Sequence, residues 1–268
     1  MEIIGEKINT TIKSVRRAVE ERDGAFIQEL ARKQATAGAH YLDVNSGMAL
    51  HPEEEAADFD WLVPVVQKAV DLPLCIDSSR RQPLEAALKL HKGRAMINSV
   101  NGDQPTMEMI FPLVKEYRCK IIALTSSKEK GIPSSSGERI KIAEEIVKES
   151  QIYRIPLEDI YFDPLVLPIS TADNNAVLFL ETLREIKQTF KAVKTISGLS
   201  NISFGLPKRR LINRIFLSLA LAAGMDAAIL DPTDNKIMAM AQATETLLGK
   251  DAFCGQYLNA FKEGRLET

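Results

Sequence analysis

The chain has 268 residues, 45% hydrophobic and 26% charged, with a formal net charge of −2. That balance argues against nucleic acid or a membrane surface as the main partner, and no apolar run approaches the ~18 residues a membrane span requires. Three scattered cysteines, Cys75, Cys119 and Cys254, do not make a disulfide framework; a reducing cytoplasm is the expected location.

Taken in chain order, short apolar runs alternate with stretches of helical periodicity. Glu2-Ile3-Ile4-Gly5, leading to Glu6 and Asn9, predicts a first strand, and Val15 to Glu21 and Phe26 to Ala37 a broken pair of helices ended by Gly38 as a C-cap. Tyr41-Leu42-Asp43-Val44-Asn45 is a second strand. Glu53 to Val70 follows as a helix with acidic residues in its first turn, where the helix dipole favours them, and Pro64 predicts a boundary or kink inside it. Leu74-Cys75-Ile76-Asp77 and Ala95-Met96-Ile97-Asn98 are strands on either side of a helix over Pro83 to Leu90. Thr106 to Tyr117 is helical, Lys120 to Thr125 a strand, and Ser136 to Glu149 helical again. Then come the strand Ile160-Tyr161-Phe162-Asp163, the helix Asn174 to Phe190 and the strand Thr195-Ile196-Ser197-Gly198, which leads to Asn201. The helix Leu211 to Ala223, the strand Ala228-Ile229-Leu230-Asp231 and helices over Asn235 to Leu248 and Asp251 to Glu263 close the series.

Eight strands alternating with helices predict an α/β fold with a parallel sheet. Seven of the eight runs end on or lead to an Asp or Asn, spread along the whole chain, whereas a doubly wound sheet gathers such residues at one switch point. The expectation is therefore a (β/α)₈ TIM barrel, one domain over residues 1–268, with its active site on the strand-end rim.

Asp77, Asn98 and Asp163 form the central trio. A carboxylate facing a fused heterocycle accepts two parallel hydrogen bonds from a ring N–H and an exocyclic amino group, and an Asn beside it satisfies a mixed donor and acceptor edge. A pterin presents such an edge. The competing role for each residue is to cap the helix that follows. Ser197 to Pro207 is too polar and glycine-rich for a routine strand-to-helix turn; Gly198 permits close backbone approach and Asn201 projects an amide into the same space. Arg209 and Arg210 are candidates for a ligand carboxylate, with solvated side chains as the alternative. No G-x-G-x-x-G, P-loop, G-x-S-x-G elbow or zinc-ligand spacing is present, and the three histidines (His40, His51, His91) are isolated. The rim thus suits positioning of a ligand and one assisted proton transfer, with no resident metal.

At these residues the chain resembles the methyltetrahydrofolate:corrinoid methyltransferases, pterin-binding barrels related to the folate domain of cobalamin-dependent methionine synthase and, more distantly, to dihydropteroate synthase. The resemblance rests on Gly5-Glu6-Lys7-Ile8-Asn9, Leu42-Asp43-Val44-Asn45, Ile76-Asp77-Ser78, Met96-Ile97-Asn98-Ser99, Phe162-Asp163-Pro164-Leu165, Gly198-Leu199-Ser200-Asn201 and Leu211-Ile212-Asn213-Arg214, in order along nearly the whole chain. It implies that Asp77, Asn98 and Asp163 hold the pterin ring, that Gly198 and Ser200 line the pocket, and that Arg209 takes the place of the family's arginine before the next helix. It further implies that Asn201 sits at the methyl-bearing ring nitrogen N5 and shares catalysis with Asp77. Lys7 stands where the family usually has Arg, and Phe204 where some members have Gln.

The resemblance also implies tetrahydrofolate and 5-methyltetrahydrofolate as substrates, a homodimer, and a methyl group exchanged with a corrinoid. No D-x-H-x-x-G cobamide-ligand motif occurs in the chain, so the cobamide is expected on a separate corrinoid protein docking over the rim. The direction, acetogenic or in demethylation of a methoxy or methylamine donor, is left open. Two alternatives stand beside this reading. A dihydropteroate synthase would need a lysine near Asn201 and a basic set at the last strand, where Asp231-Pro232 stands; a non-catalytic pterin-binding protein would have no need of Asn201.

Overall fold

The computed structural model describes residues 1–129 and 131–266; residues 130, 267 and 268 of the expected domain lie outside them. Strands β1 (Glu2–Asn9), β2 (Tyr41–Asn45), β3 (Leu74–Asp77), β4 (Met96–Val100), β5 (Lys120–Leu124), β6 (Ile160–Asp163), β7 (Lys194–Gly198) and β8 (Ala227–Leu230) pair in parallel and in sequence order, and β8 closes on β1. The expected barrel is the observed one. Helices α1 (Lys13–Glu20) and α2 (Gly24–Thr36) follow β1. Each later strand is followed by one helix: α3 (Pro52–Ala69), α4 (Arg81–Leu90), α5 (Gln104–Tyr117), α6 (Ser136–Ile152), α7 (Asn175–Thr189), α8 (Arg209–Ala222) and α9 (Asn235–Leu247). A last helix, α10 (Gly255–Lys262), ends the described chain. No helix is long and apolar enough to cross a membrane among the described residues.

Strand side chains alternate between two environments, as the pleat requires. One set packs outward against the helices, including Leu42, Ile76, Ile97, Ile121 and Phe162. The other fills the barrel interior with one side chain from each strand, among them Ile4, Cys75, Met96, Ile122 and Tyr161. Below that layer the Glu2 carboxylate accepts from Lys194 Nζ at 2.7 Å, Tyr161 Oη at 2.8 Å and Lys120 Nζ at 3.2 Å. Burial raises the proton affinity of Glu2, but the hydrogen bonds from Lys194 and Tyr161 and the charge of Lys120 outweigh it and hold the acid at about 2. An ionic plug thus closes the end of the barrel where the strands begin.

Two expectations change. Helix α3 continues across Pro64 with no boundary there, and Phe59, Leu62, Val63 and Val66 are buried on both sides of it; packing of that apolar face offsets the lost backbone bond. The expected helix Asp251 to Glu263 is instead a 3₁₀ turn, Ala252–Cys254, followed by α10. Phe253 and Cys254 adopt left-handed φ of 53° and 57°, and the Asp251 carboxylate accepts from the Gln256 and Tyr257 N–H groups at the new helix start. Two of the histidines serve as backbone acceptors: His40 Nδ1 takes the Ile3 N–H at 3.1 Å and His91 Nε2 the Leu74 N–H at 2.9 Å. Burial pushes both below the ordinary range, His91 to about 4.

Candidate active site

The rim at the strand ends is built by register. Asn45 pairs with Asp77 and Asp77 with Asn98, which sets three polar residues of β2, β3 and β4 in one row. Asp163 enters from β6, level with Leu124, and Gly198 from β7, level with Ile229. Beyond Asn98 the β4–β5 register shifts by a bulge at Ser99, and the Asn98–Ser99 peptide is cis.

None of the trio caps a helix. Side chains that do so include Asp23 for α2, Ser135 for α6, Asp234 for α9 and Asp251 at the start of α10, while α4, α5 and α7 start from Arg80, Asp103 and Asn174. Asp77, Asn98 and Asp163 are therefore not spent on helix caps, and of the three Asp163 alone binds the local backbone, through the Leu165 N–H.

Each member is held by a neighbour. Asn45 Nδ2 donates to Asp77 Oδ2 at 2.9 Å, and Asn98 Nδ2 donates to Asp43 Oδ1 at 3.4 Å. Asp163 Oδ1 accepts both the Ser197 hydroxyl and the Leu165 N–H at 2.7 Å, and neither donor uses Oδ2. Burial raises Asp77 to about 6, against the opposing Asn45 hydrogen bond and with a further push from the Glu55 charge. Burial likewise raises Asp163 to about 6, although Ser197, Leu165 and Arg139 pull it down. Asp43, 3% exposed, lies well above the carboxylate range because it is buried and faces the Asp77 charge. Two neighbouring buried acids resist double ionisation, and burial holds both above the ordinary carboxylate range.

Asn201 is the exposed residue of a 3₁₀ turn, Ser200–Ser203, whose Ile202 and Ser203 are buried, directly after Gly198 and Leu199. A Cβ on Gly198 would meet no protein atom within 4 Å, so packing does not demand glycine there. Arg209 reaches back to this turn: Nε donates to Ser203 Oγ at 3.1 Å and Nη2 to the Ser200 carbonyl at 2.6 Å, with the guanidinium 5.8 Å from the Phe204 ring centroid. Arg209 thus braces the turn that presents Asn201. Arg210 lines a rim cavity of about 180 Å³ with Glu6, Lys7, Ser200, Arg214 and Asp231. There Lys7 Nζ pairs with Asp231 Oδ2 at 2.7 Å, and burial raises Glu6. A larger concavity of about 760 Å³, between α2 and α9, lies outside the barrel and contains none of the strand-end residues.

Sequence reasoning assigned no role to Asp43, Asn45 or Ser197. Asp43 and Asn45 fall on the same face as Tyr41 by the two-residue strand period, and that alternation was the available signal. Ser197 had none, because its use depends on β6 lying beside β7.

Comparison with known proteins covers most of the chain. Residues 5–231 match the profile described as pterin binding enzyme. The chain is 38% identical over 268 residues to the methylcorrinoid:tetrahydrofolate methyltransferase of Eubacterium limosum, covering 99% of this chain and 98% of that protein. It is 31% identical over 256 residues to methionine synthase of Mycobacterium tuberculosis, covering 91% of this chain but 21% of that protein. Among solved structures, a dihydropteroate synthase from Xanthomonas albilineans with 4-aminobenzoic acid superposes with a TM-score of 0.71 at 19% identity, over 94% of this chain and 93% of the other. That last likeness concerns the fold alone.

Proposed function

The chain belongs to the pterin-binding enzymes, in the methylcorrinoid:tetrahydrofolate methyltransferase family, and from that premise we propose that it moves a methyl group between N5 of tetrahydrofolate and the cobalt of a separate corrinoid protein. The observation that carries this reading is the row Asn45–Asp77–Asn98 with Asp163 across the mouth, every member held by side chains and none spent on a helix cap. The proposed direction, cobalt to folate, follows the name of the Eubacterium limosum relative.

In this reading Asp77 and Asp163 accept from the donor edge of the pterin, and Asn98 meets its mixed edge. Gly198 and Ser200 line the ring's far side, and Arg209 contributes through the turn it braces. Transfer to folate forms the N5–C bond as the Co–C bond breaks. The electron pair of that bond stays on cobalt, and N5 gains positive charge and must shed one proton. The Asn201 amide orients to stabilise the charged nitrogen, and Asp77, poised near 6 by burial, carries the proton toward water. The reverse reaction uses the same contacts, with N5 protonated first. The cobamide remains the partner's group, and the residues described here bind and orient folate.

We place the enzyme in the cytoplasm, where the buried free thiols of Cys75 and Cys119 stay reduced. We assign it as a homodimer, in keeping with the exposed stripe Leu211, Ile215 and Leu219 along α8. The decisive assay mixes the protein with a methylated corrinoid protein and tetrahydrofolate, and follows Co(I) absorbance in both directions. Appearance of Co(I) that depends on folate supports the function; a competent corrinoid protein that stays methylated refutes it.

A further inference from the structure

Arg139 on α6 is the bulkiest of the fully buried side chains, 1% exposed, and the one buried arginine among the described residues. A buried cation is costly unless its donors are satisfied. Here its hydrogen-bond partners are main-chain carbonyls: Nε donates to Pro133 O at 2.9 Å, and Nη1 to Pro164 O at 2.7 Å and to Leu165 O at 3.4 Å. Pro133 belongs to the loop after β5, whereas Pro164 and Leu165 directly follow Asp163 at the end of β6. One guanidinium therefore ties two neighbouring rim loops together.

The second of those loops is unusual. Leu165 adopts a left-handed φ of 67°, which a leucine does not favour, and in that conformation its N–H reaches Asp163 Oδ1 at 2.7 Å. The turn therefore needs an external hold, and Arg139 grips its carbonyls on both residues. From this geometry we infer that Arg139 is a positioning residue for Asp163. By pinning Pro164 and Leu165 to the Pro133 loop it fixes the turn that occupies Oδ1 and reserves Oδ2 for the ligand. The charge assists as well, since Arg139 pulls down a carboxyl that burial raises. A neutral side chain of equal length could fill the space but could not fork between Pro133 and Pro164 with the same strength.

The inference rests on the proposed function in that the ligand is a pterin, and a double-mutant cycle separates the two. Arg139→Lys keeps the charge and loses the fork. It is expected to weaken tetrahydrofolate binding, measured by calorimetry, by about ten-fold, the value of one lost charge-assisted contact. In an Asp163→Asn background the same substitution is expected to change affinity by less than about two-fold, because its effect passes through Asp163. Equal losses in both backgrounds, or wild-type affinity in Arg139→Lys, overturn the inference. Hydrogen exchange of the ligand-free proteins gives a second reading. The Leu165 amide is expected to exchange at least about ten-fold faster in Arg139→Lys while core amides hold, and unchanged Leu165 exchange overturns it. A wild type that binds no folate refutes the proposed function instead, and Leu165 exchange still decides this inference. If the lysine variant does not fold, the wild type decides. Saturating tetrahydrofolate is expected to slow exchange at the Leu165 amide and Arg139 Nε–H together, and no slowing at either overturns the assignment.

Discussion

Asn45 donates through Nδ2 to Asp77 Oδ2 while its own Oδ1 is fixed by the Gly47 N–H, each at 2.9 Å. Flipping this amide would lose both bonds. The donor therefore always faces the carboxylate, where it opposes the burial that raises Asp77 to about 6.

Removing that donor with Asn45→Ala destabilises the ionised form of Asp77 and raises its proton affinity. At any given pH less Asp77 is then ionised, so the acid limb of the kcat/KM profile for folate moves to higher pH. A shift of about one unit is expected, the size of one hydrogen bond to a charged group. A pH–rate series on both proteins checks it, and an unmoved limb would separate Asn45 from Asp77.

Asn201→Ala tests the catalytic amide. The side chain is exposed, so the fold and tetrahydrofolate affinity are expected to hold within about two-fold. The transfer rate is expected to fall by ~10²–10³, as when one preorganised donor at a developing charge is lost. Calorimetry with single-turnover transfer separates the two effects, and a large loss of affinity at unchanged rate contradicts the role.

Asp163→Asn exchanges function for stability. In the folded protein Asp163 lies near 6, above its ordinary value of 3.8, so the folded state binds more protons between those limits. Its contribution to stability is complete below about pH 4 and is lost as pH rises through 6. Asparagine does not ionise and can keep the two bonds at Oδ1. The variant is therefore expected to match the wild type in unfolding free energy near pH 4 and to exceed it by about 1–3 kcal/mol above pH 7. Folate binding is expected to be weakened, because Oδ2 becomes a donor. Urea unfolding at a series of pH values measures the first effect and calorimetry the second.

His91 works in the opposite sense. Its folded value of about 4 lies below the ordinary value of 6.5, so the unfolded chain binds more protons between the two and stability drops as pH falls through that window. His91→Gln keeps an acceptor for the Leu74 N–H and cannot charge. It should retain on the order of 1–2 kcal/mol of stability between pH 6.5 and 4 that the wild type loses, after discounting for the partial exposure of the ring. Parallel acid-unfolding curves for the two proteins supply the measurement.

The barrel was legible because strand identity depends on local runs such as Leu74–Asp77 and Ile160–Asp163, and their regular recurrence leaves few topologies open. The place of the trio near strand ends was legible for the same reason, although β4 runs two residues past Asn98. What stayed hidden was whatever depends on neighbours in space. Asn45 beside Asp77 and Ser197 beside Asp163 follow from inter-strand register, and Arg139 under the β6 exit follows from how α6 packs. Pro64 marks no boundary in α3, because a local rule about proline cannot weigh the buried face that holds the helix together. The α10 start was missed because left-handed Phe253 and Cys254 carry no local mark of a break.

The Glu2–Lys120–Lys194–Tyr161 cluster has a kinetic corollary. With one end of the barrel sealed by ions, folate has a single doorway, and in the proposed reaction the corrinoid carrier must stand in that same doorway to hand over its methyl. Folate must then load first and leave last, as cargo does behind a closing hatch. Initial-rate plots should intersect rather than run parallel, and excess corrinoid protein should trap folate inside.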